Sequence, residues 1–297
     1  MSHISVLLHE VIDSLALESG DVVIDGTLGR GGHSLAMLEA KKDIFIIGID
    51  EDEQALEESE VRLASHHDKY RLFRGNFREM KKFLNETGRD TANKILLDIG
   101  ISSPQLDSSG RGFTFRKDEP LKMTFRRDIG IEKLTARDIV NDWAEEDIAN
   151  VIYAYGDERY ARRIARAIVV ARADASIETT SALASIIESS VPASYRRGHI
   201  HPATRSFQAI RIAVNDELGA LKSGLVEARN ILSAGGRIAV ISFHSLEDRI
   251  VKETFKSWEK DGIGSQITKK PIVPKDSEIS ENPRSRSAKL RVFIKTN

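Results

Sequence analysis

Three aspartates, Asp25, Asp50 and Asp98, each stand at the end of a short β-branched or aliphatic run, and the first opens a turn dense in glycine. Val22-Val23-Ile24 leads into Asp25-Gly26-Thr27-Leu28-Gly29-Arg30-Gly31-Gly32-His33, and helical character begins at Ser34. This reads as strand, tight turn and helix N-terminus. Glycines let the backbone approach a ligand and supply positive φ without a Cβ penalty, while the first N–H groups of a helix lack intrahelical partners and bind an acceptor. Asp50, at the tip of Ile44–Ile49, is placed to accept both hydroxyls of a ribose, and Asp98 closes the run from Lys94 to Leu97. In an open parallel sheet ligands lie across the carboxyl ends of the strands, so the three acids are expected to converge there.

The residue types narrow the ligand. Counting from Gly29, Ser34 stands where a dinucleotide fingerprint has its third glycine, and Asp25 just before the turn would repel a pyrophosphate. S-adenosylmethionine carries an adenosine, a sulfonium and an ammonium but no phosphate, so the carboxylates attract it. A nicotinamide-dependent oxidoreductase and an RNA-binding assembly factor holding the cofactor as a structural ligand are the alternatives from other classes. The chain has no cysteine, which excludes disulfides, thiolate metal sites and methylation through a cysteine nucleophile. No metal-ligand spacing stands out, and no metal is expected.

The elements that must position these groups follow from periodicity. With 297 residues, 40% hydrophobic and 30% charged, the chain suits one large domain or one domain with an insertion. No apolar run approaches the roughly 20 residues that span a bilayer, and Met1-Ser2-His3-Ile4-Ser5 has no basic region before an apolar segment, so a cytoplasmic, membrane-free protein is expected. A helix is expected over Val6–Leu15, and another over Glu51–Ala64 with Ala55, Leu56, Val61 and Leu63 as its apolar side. A third strand is expected at Leu72–Gly75, with a helix opening at Asn76-Phe77.

From Asp107 to about Ile200 there is no strand–helix repeat, and residues 107–200 read as an inserted helical domain between core segments 1–106 and 201–297. Within it, Glu158–Arg172 places Arg159, Arg162, Arg163 and Arg166 on one helical face, a candidate phosphate-tracking stripe. The net charge of -1 requires any nucleic-acid surface to be local. Arg111, Arg126-Arg127 and Arg196-Arg197 add cations, and Phe113, Phe115 and Phe125 offer rings for base stacking. Beyond the insertion the pattern predicts one long helix over Thr204–Leu232, a strand at Ile238–Phe243 and a helix over Leu246–Trp258. Final strands are expected at Ile267–Val273 and Lys289–Lys295, with Ser277–Glu281 between them expected to be mobile. His201, Arg205 and Gln208 near the start of the long helix, and His244 after the fifth strand, are candidates for the substrate side.

Six blocks carry a family resemblance: Asp25 to Ser34, Leu97 to Asp107, Arg111-Gly112-Phe113, His201 to Ala209, Ser242 to Arg249 and Asn282 to Ser287. The chain resembles the bacterial RsmH (MraW) family nearly end to end. That resemblance implies an α/β, class I S-adenosylmethionine-dependent methyltransferase, Rossmann-like with a mostly parallel seven-stranded sheet and an inserted helical domain. It implies methylation of N4 of a decoding-region cytosine in small-subunit (16S) ribosomal RNA, in the assembled or nearly assembled subunit, by a monomer or homodimer. Amino methylation of DNA or of another RNA is the runner-up within enzymes. Gly31, Gly32, His33, Asp50, Phe77, Asp98 and Gln105 fall on the family's cofactor-contact positions. Asp98 and Ser102 are expected to orient the amino nucleophile, with Arg111, Phe113, Arg162, Arg166, His201, Arg205, Gln208 and His244 on the RNA side. The chain departs from the family's Pro-Leu-Asp-Met-Arg-Met by reading Pro120-Leu121-Lys122-Met123-Thr124-Phe125, which exchanges an acid for a base and removes a guanidinium.

Overall fold

The computed structural model describes residues 5–101, 106, 109–126 and 134–296. They fall into two compact units: residues 1–100 with 218–297, and residues 101–217.

The first unit is built on seven strands: β1 (Val22–Asp25), β2 (Phe45–Asp50), β3 (Tyr70–Arg74), β4 (Ala92–Asp98), β5 (Leu232–Ser242), β6 (Gly264–Gln266) and β7 (Lys289–Lys295). Their order is β3-β2-β1-β4-β5-β7-β6. The first five run parallel; β7 is antiparallel to β5, and β6 to β7. This is the mostly parallel seven-stranded sheet expected. The order reverses between β1 and β4, so the switch-point crevice opens beyond Asp25 and Asp98.

Alternation along the strands sorts side chains onto two faces. Ile24, Ile47, Ile95 and Ile238 meet α4 (Met80–Glu86), α11 (Glu217–Ile231) and α12 (Ser245–Lys260) through Phe83, Leu225 and Phe255. Val23, Ile46, Leu96 and Ala239 meet α1 (Leu8–Leu15), α2 (Gly32–Ala40) and Leu63 of α3 (Glu53–Leu63). Burial on both faces is why these strands read as unbroken apolar runs.

Three expectations for this unit change. Val61 is 80% exposed, and α3 instead buries Ser59 with Leu63; its inner face lies against the glycine turn, where the Ser59 hydroxyl donates to the Gly29 carbonyl. The strand expected at Ile267–Val273 does not form: β6 lies before it, Pro271 and Pro274 interrupt the ladder, and the segment keeps one isolated bridge, Ile272 to Leu290. Ser277–Glu281 lies in α13 (Asp276–Glu281), tied down where Glu278 accepts the Leu7 N–H at 2.7 Å.

The second unit packs α5 (Ala136–Asp142), α6 (Glu145–Gly156), α7 (Ala161–Asp174), α8 (Thr180–Ser190), the short α9 (Ala193–Arg196) and α10 (Ala203–Asn215) around one apolar core. The long helix expected over Thr204–Leu232 is two helices. Asp216 takes a left-handed conformation (φ 47°, ψ 43°) and ends α10, after which α11 begins; an Asn-Asp pair tolerates that conformation better than most residues. The segment 107–200 falls inside this unit, which continues to Glu217 because Ala203, Phe207 and Ile210 of α10 are buried in its core. Among the described residues no helix is long and apolar enough to cross a membrane.

Candidate cofactor site and the substrate-side residues

The turn after β1 is pinned at both ends to neighbouring strands. Gly26 N–H donates to the Leu96 carbonyl and Leu28 N–H to that of Ile49, each at 2.9 Å. Gly29 and Gly31 take φ of 54° and 69°, and Gly31 stands at the start of α2, where no side chain caps the helix. A Cβ on Gly31 would lie 3.1 Å from the Ser59 hydroxyl, which itself donates to the Gly29 carbonyl at 2.9 Å. The glycines thus permit the backbone course and the close approach of α3 together.

The three strand-end acids differ in task. Asp25 is almost completely buried; its Oδ2 accepts the Ser34 hydroxyl at 2.7 Å. Burial raises its carboxyl pKa against the lowering effect of Ser34 and of the nearby His33. It anchors the turn to α2 from beneath, which corrects the expectation that it meets a cationic ligand itself. Asp50 accepts the Gly29 N–H through Oδ2 and the Asp52 N–H through Oδ1, both at 2.8 Å. Burial nonetheless pushes its carboxyl up to about 7. Each oxygen keeps a second lone pair, so Asp50 has acceptor capacity for two hydroxyl donors.

Asp98 is fixed from behind by its own N–H, which donates to Thr27 Oγ1 at 2.6 Å. Its Oδ2 lies 3.5 Å from His33 Nε2, while Oδ1 and both His33 ring nitrogens are buried without a hydrogen-bond partner among the described residues. Buried polar atoms are rarely left unmatched, so these mark a place for a polar ligand. Phe77, in a 3₁₀ turn after β3, fills the space left by two missing side chains: a Cβ on Gly224 would come within 2.4 Å of its ring, and one on Gly26 within 3.0 Å of its Cβ. Gly31, Gly32, His33, Asp50, Phe77 and Asp98 therefore gather around the carboxyl ends of β1, β2 and β4. Ser102 and Gln105 lie outside the described residues.

Thr27, Ser59 and Gly224 were not singled out from the sequence. Thr27 sat inside a conspicuous motif, yet its bond to the end of β4 depends on strand order; nothing local marks Ser59 or Gly224.

The substrate-side candidates divide. Arg111 and Phe113 are buried in the second unit, with Arg111 donating to the Phe125 carbonyl and Phe113 stacked on Phe125 at 5.7 Å. They build the loop that carries Lys122 and Thr124, which corrects their assignment to RNA contact. That loop is further held by Asn215, whose side chain bonds the Met123 carbonyl at 2.8 Å and the Phe125 N–H at 3.0 Å. Phe115 is packed between His201 (centroids 4.6 Å apart) and Phe207 (4.9 Å), so it too belongs to the local core. His201 Nδ1 accepts the N–H of Ala203, the first residue of α10, at 3.2 Å. His244 caps α12, accepting the Glu247 N–H at 3.4 Å. Arg162, Arg163 and Arg166 are exposed on α7, opposite its buried Ala161, Ile164, Ala165 and Ile168, and Gln208 is half-buried on α10. Arg205 donates to the Asp157 carbonyl at 3.0 Å.

The MraW methylase family profile matches residues 1–296. The ribosomal RNA small subunit methyltransferase H of Symbiobacterium thermophilum is 47% identical over 309 residues, spanning 99% of this chain and 96% of that one. Its namesake from a Paenibacillus species is 46% identical over 315 residues, spanning 99% of each. Among solved structures, an rRNA methylase from Streptococcus thermophilus aligns over 100% of both chains with a TM-score of 0.47 and 11% identity. On a profile match that runs the length of the chain and on near-complete alignments at close to half identity, this protein is a member of the MraW methylase family.

Proposed function

We propose that the protein transfers the methyl group of S-adenosylmethionine to the exocyclic N4 of a decoding-region cytosine in small-subunit (16S) ribosomal RNA, in the assembled or nearly assembled subunit. The observation that carries this reading is the set of groups at the carboxyl ends of the strands: buried atoms of Asp98 and His33 without a hydrogen-bond partner among the described residues, a carboxylate with acceptor capacity at Asp50, and an uncapped helix start. Family membership and the names of the relatives support the same class of reaction.

The residues present fit the cofactor. Asp50 would accept the ribose hydroxyls, Phe77 supplies an apolar wall, Gly31 and Gly32 admit close approach, and His33 with Asp98 offers hydrogen-bonding atoms to amino-acid or amino groups. When bound, S-adenosylmethionine supplies a methyl carbon made electrophilic by its sulfonium. Bound there, the donor would give its methyl to the amino nitrogen in an in-line displacement, the S–C electron pair staying on the sulfur of S-adenosylhomocysteine, and the proton released from N4 would pass to a neighbouring acceptor or to solvent. A cytosine amino lone pair is delocalised into the ring, so an acceptor must hold its N–H and localise the pair; Asp98 Oδ1 is the candidate. Positioning of this kind contributes up to roughly 7–11 kcal/mol when reacting atoms are held near 3 Å.

The test is incubation with methyl-labelled donor and either naked small-subunit RNA or assembled subunits, followed by mass-spectrometric mapping of the labelled nucleoside. Label on cytosine N4 supports the assignment; label on another base, or none on either substrate, refutes it.

A further inference from the structure

A second site lies in the helical unit. Arg159, Ser194, Tyr195, Gly198, Ile200 and Arg205 line a cleft of about 310 Å³. Its walls are held before any ligand arrives. The Arg159 guanidinium lies over two rings, 4.9 Å from the Tyr160 centroid and 5.2 Å from that of Tyr195. The two tyrosines meet edge to face at 5.0 Å. The Tyr195 hydroxyl donates to the fully buried Glu158, whose other oxygen accepts the Tyr160 N–H at 2.9 Å. Across the cleft Arg205 is fixed by its bond to the Asp157 carbonyl.

A guanidinium stacked on an aromatic face keeps the N–H donors at its edge, in a fork that matches phosphate oxygens. Among the described residues neither Arg159 nor Arg205 forms an ion pair with a carboxylate, so both cations are available. Ile200 is 47% exposed at the rim and gives an apolar surface beside them. Arg196 and Arg197 are exposed on the adjoining segment, and Arg162, Arg163 and Arg166 continue the cationic surface along α7. One anion with an apolar neighbour, on a track of further anions, describes a nucleic-acid strand with its bases unpaired.

We propose that this cleft is a phosphodiester subsite for single-stranded RNA, in which Arg159 and Arg205 bind one backbone phosphate and Ile200 packs against an adjacent base. The proposal rests on RNA being the substrate, and it adds a point of grip remote in sequence from the glycine turn. Tyr195 and Glu158 are positioning residues; they hold Arg159 and do not touch the strand.

The experiment measures binding of the full chain to a single-stranded RNA of decoding-region sequence between about 50 and 200 mM salt, where each phosphate contact contributes about 0.7 to the slope of log K against log salt for a single strand. The double substitution Arg159→Gln with Arg205→Gln is expected to lower that slope by about 0.7 and to weaken binding at low salt. Arg159→Lys keeps the charge and is expected to keep the wild-type slope, which separates phosphate binding from a folding defect. An unchanged slope and affinity in the double variant, with wild-type binding salt-dependent, overturns the subsite and leaves the substrate assignment standing. Wild-type binding that is absent or indifferent to salt overturns the subsite, and the labelling of assembled subunits decides the substrate assignment separately. In a parallel arm, inorganic phosphate that raises the thermal midpoint of the wild type but not of the double variant, with RNA slopes equal, identifies a free-anion site and also overturns the proposal.

Discussion

Binding of the cofactor, or of its product S-adenosylhomocysteine, is expected to release a proton from Asp50. In the free protein burial holds this carboxyl at about 7, against an ordinary value of 3.8. Hydroxyl donors on its spare lone pairs favour the ionised form. At pH 6 the free carboxyl is about nine-tenths protonated and at pH 8 about one-tenth, so affinity should rise about tenfold between them, or ~1.4 kcal/mol. The sign for folding is opposite. Between about 4 and 7 the folded free chain binds more protons than the unfolded chain, so Asp50 withdraws stability as pH rises through that window and contributes its full penalty above it. Calorimetric titration with S-adenosylhomocysteine at pH 6 in two buffers of different ionisation enthalpy counts the protons directly. Nearly one proton released, falling towards zero at pH 8, is the expected result. Asp50→Asn should abolish the release and weaken binding by about 10–100-fold, because its amide must turn an N–H group towards the Gly29 or Asp52 N–H. Equal heats in the two buffers and an affinity flat in pH would show that Asp50 does not receive the hydroxyls.

Two substitutions separate the site from its scaffold. Gly224→Ala places a Cβ 2.4 Å from the Phe77 ring and should displace that ring, raising the dissociation constant for S-adenosylhomocysteine severalfold with a thermal-midpoint loss of a few degrees; unchanged affinity would remove Phe77 from the cofactor wall. Lys94→Met leaves buried Asp21 without the ammonium now 3.6 Å away and should cost about 3–5 kcal/mol in denaturant unfolding, with the remaining folded protein binding cofactor normally.

The parallel half of the sheet was legible because its strands are buried on both faces and each ends in a recognisable acid. The same reading could not apportion roles among the acids. Asp25 and Asp50 look alike in sequence, and only the register of β1 against β2 and β4 puts one beneath the turn and the other at its edge. Arg111 and Phe113 misled for a related reason: a Gly/Arg/Phe loop suits RNA contact, but this one closes on itself through the Phe125 carbonyl and the Phe113–Phe125 stack. Helix periodicity carried through Asn215-Asp216 without a break, since a single left-handed residue leaves no gap in the apolar pattern. Arg162, Arg163 and Arg166 were legible as a stripe because α7 is amphipathic, but the helix expected from Glu158 begins only at Ala161, so Arg159 lies in the turn before it; the cleft that Arg159 lines was not legible, since Tyr195, Ile200 and Arg205 reach it from other segments.

The net charge of -1 conceals an opposition that the proposed chemistry requires. A methyl donor bearing a sulfonium and an ammonium is favoured by carboxylates, but those carboxylates repel a polyanionic substrate at every phosphate. Coulomb attraction and repulsion of comparable size cannot both be optimised on one surface, so the acids must be shielded and the cations placed elsewhere. Here Asp25 is buried and Asp50 is occupied by backbone N–H groups, whereas the guanidiniums of Arg162, Arg163 and Arg166 stand in solvent on a different folding unit. Salt acts unequally on the two sets, because exposed charges are screened within about 8–10 Å at ordinary ionic strength and buried ones much less. On the proposed function, donor affinity is expected to follow proton concentration and RNA affinity to follow salt, so the two variables address the two halves of the reaction separately.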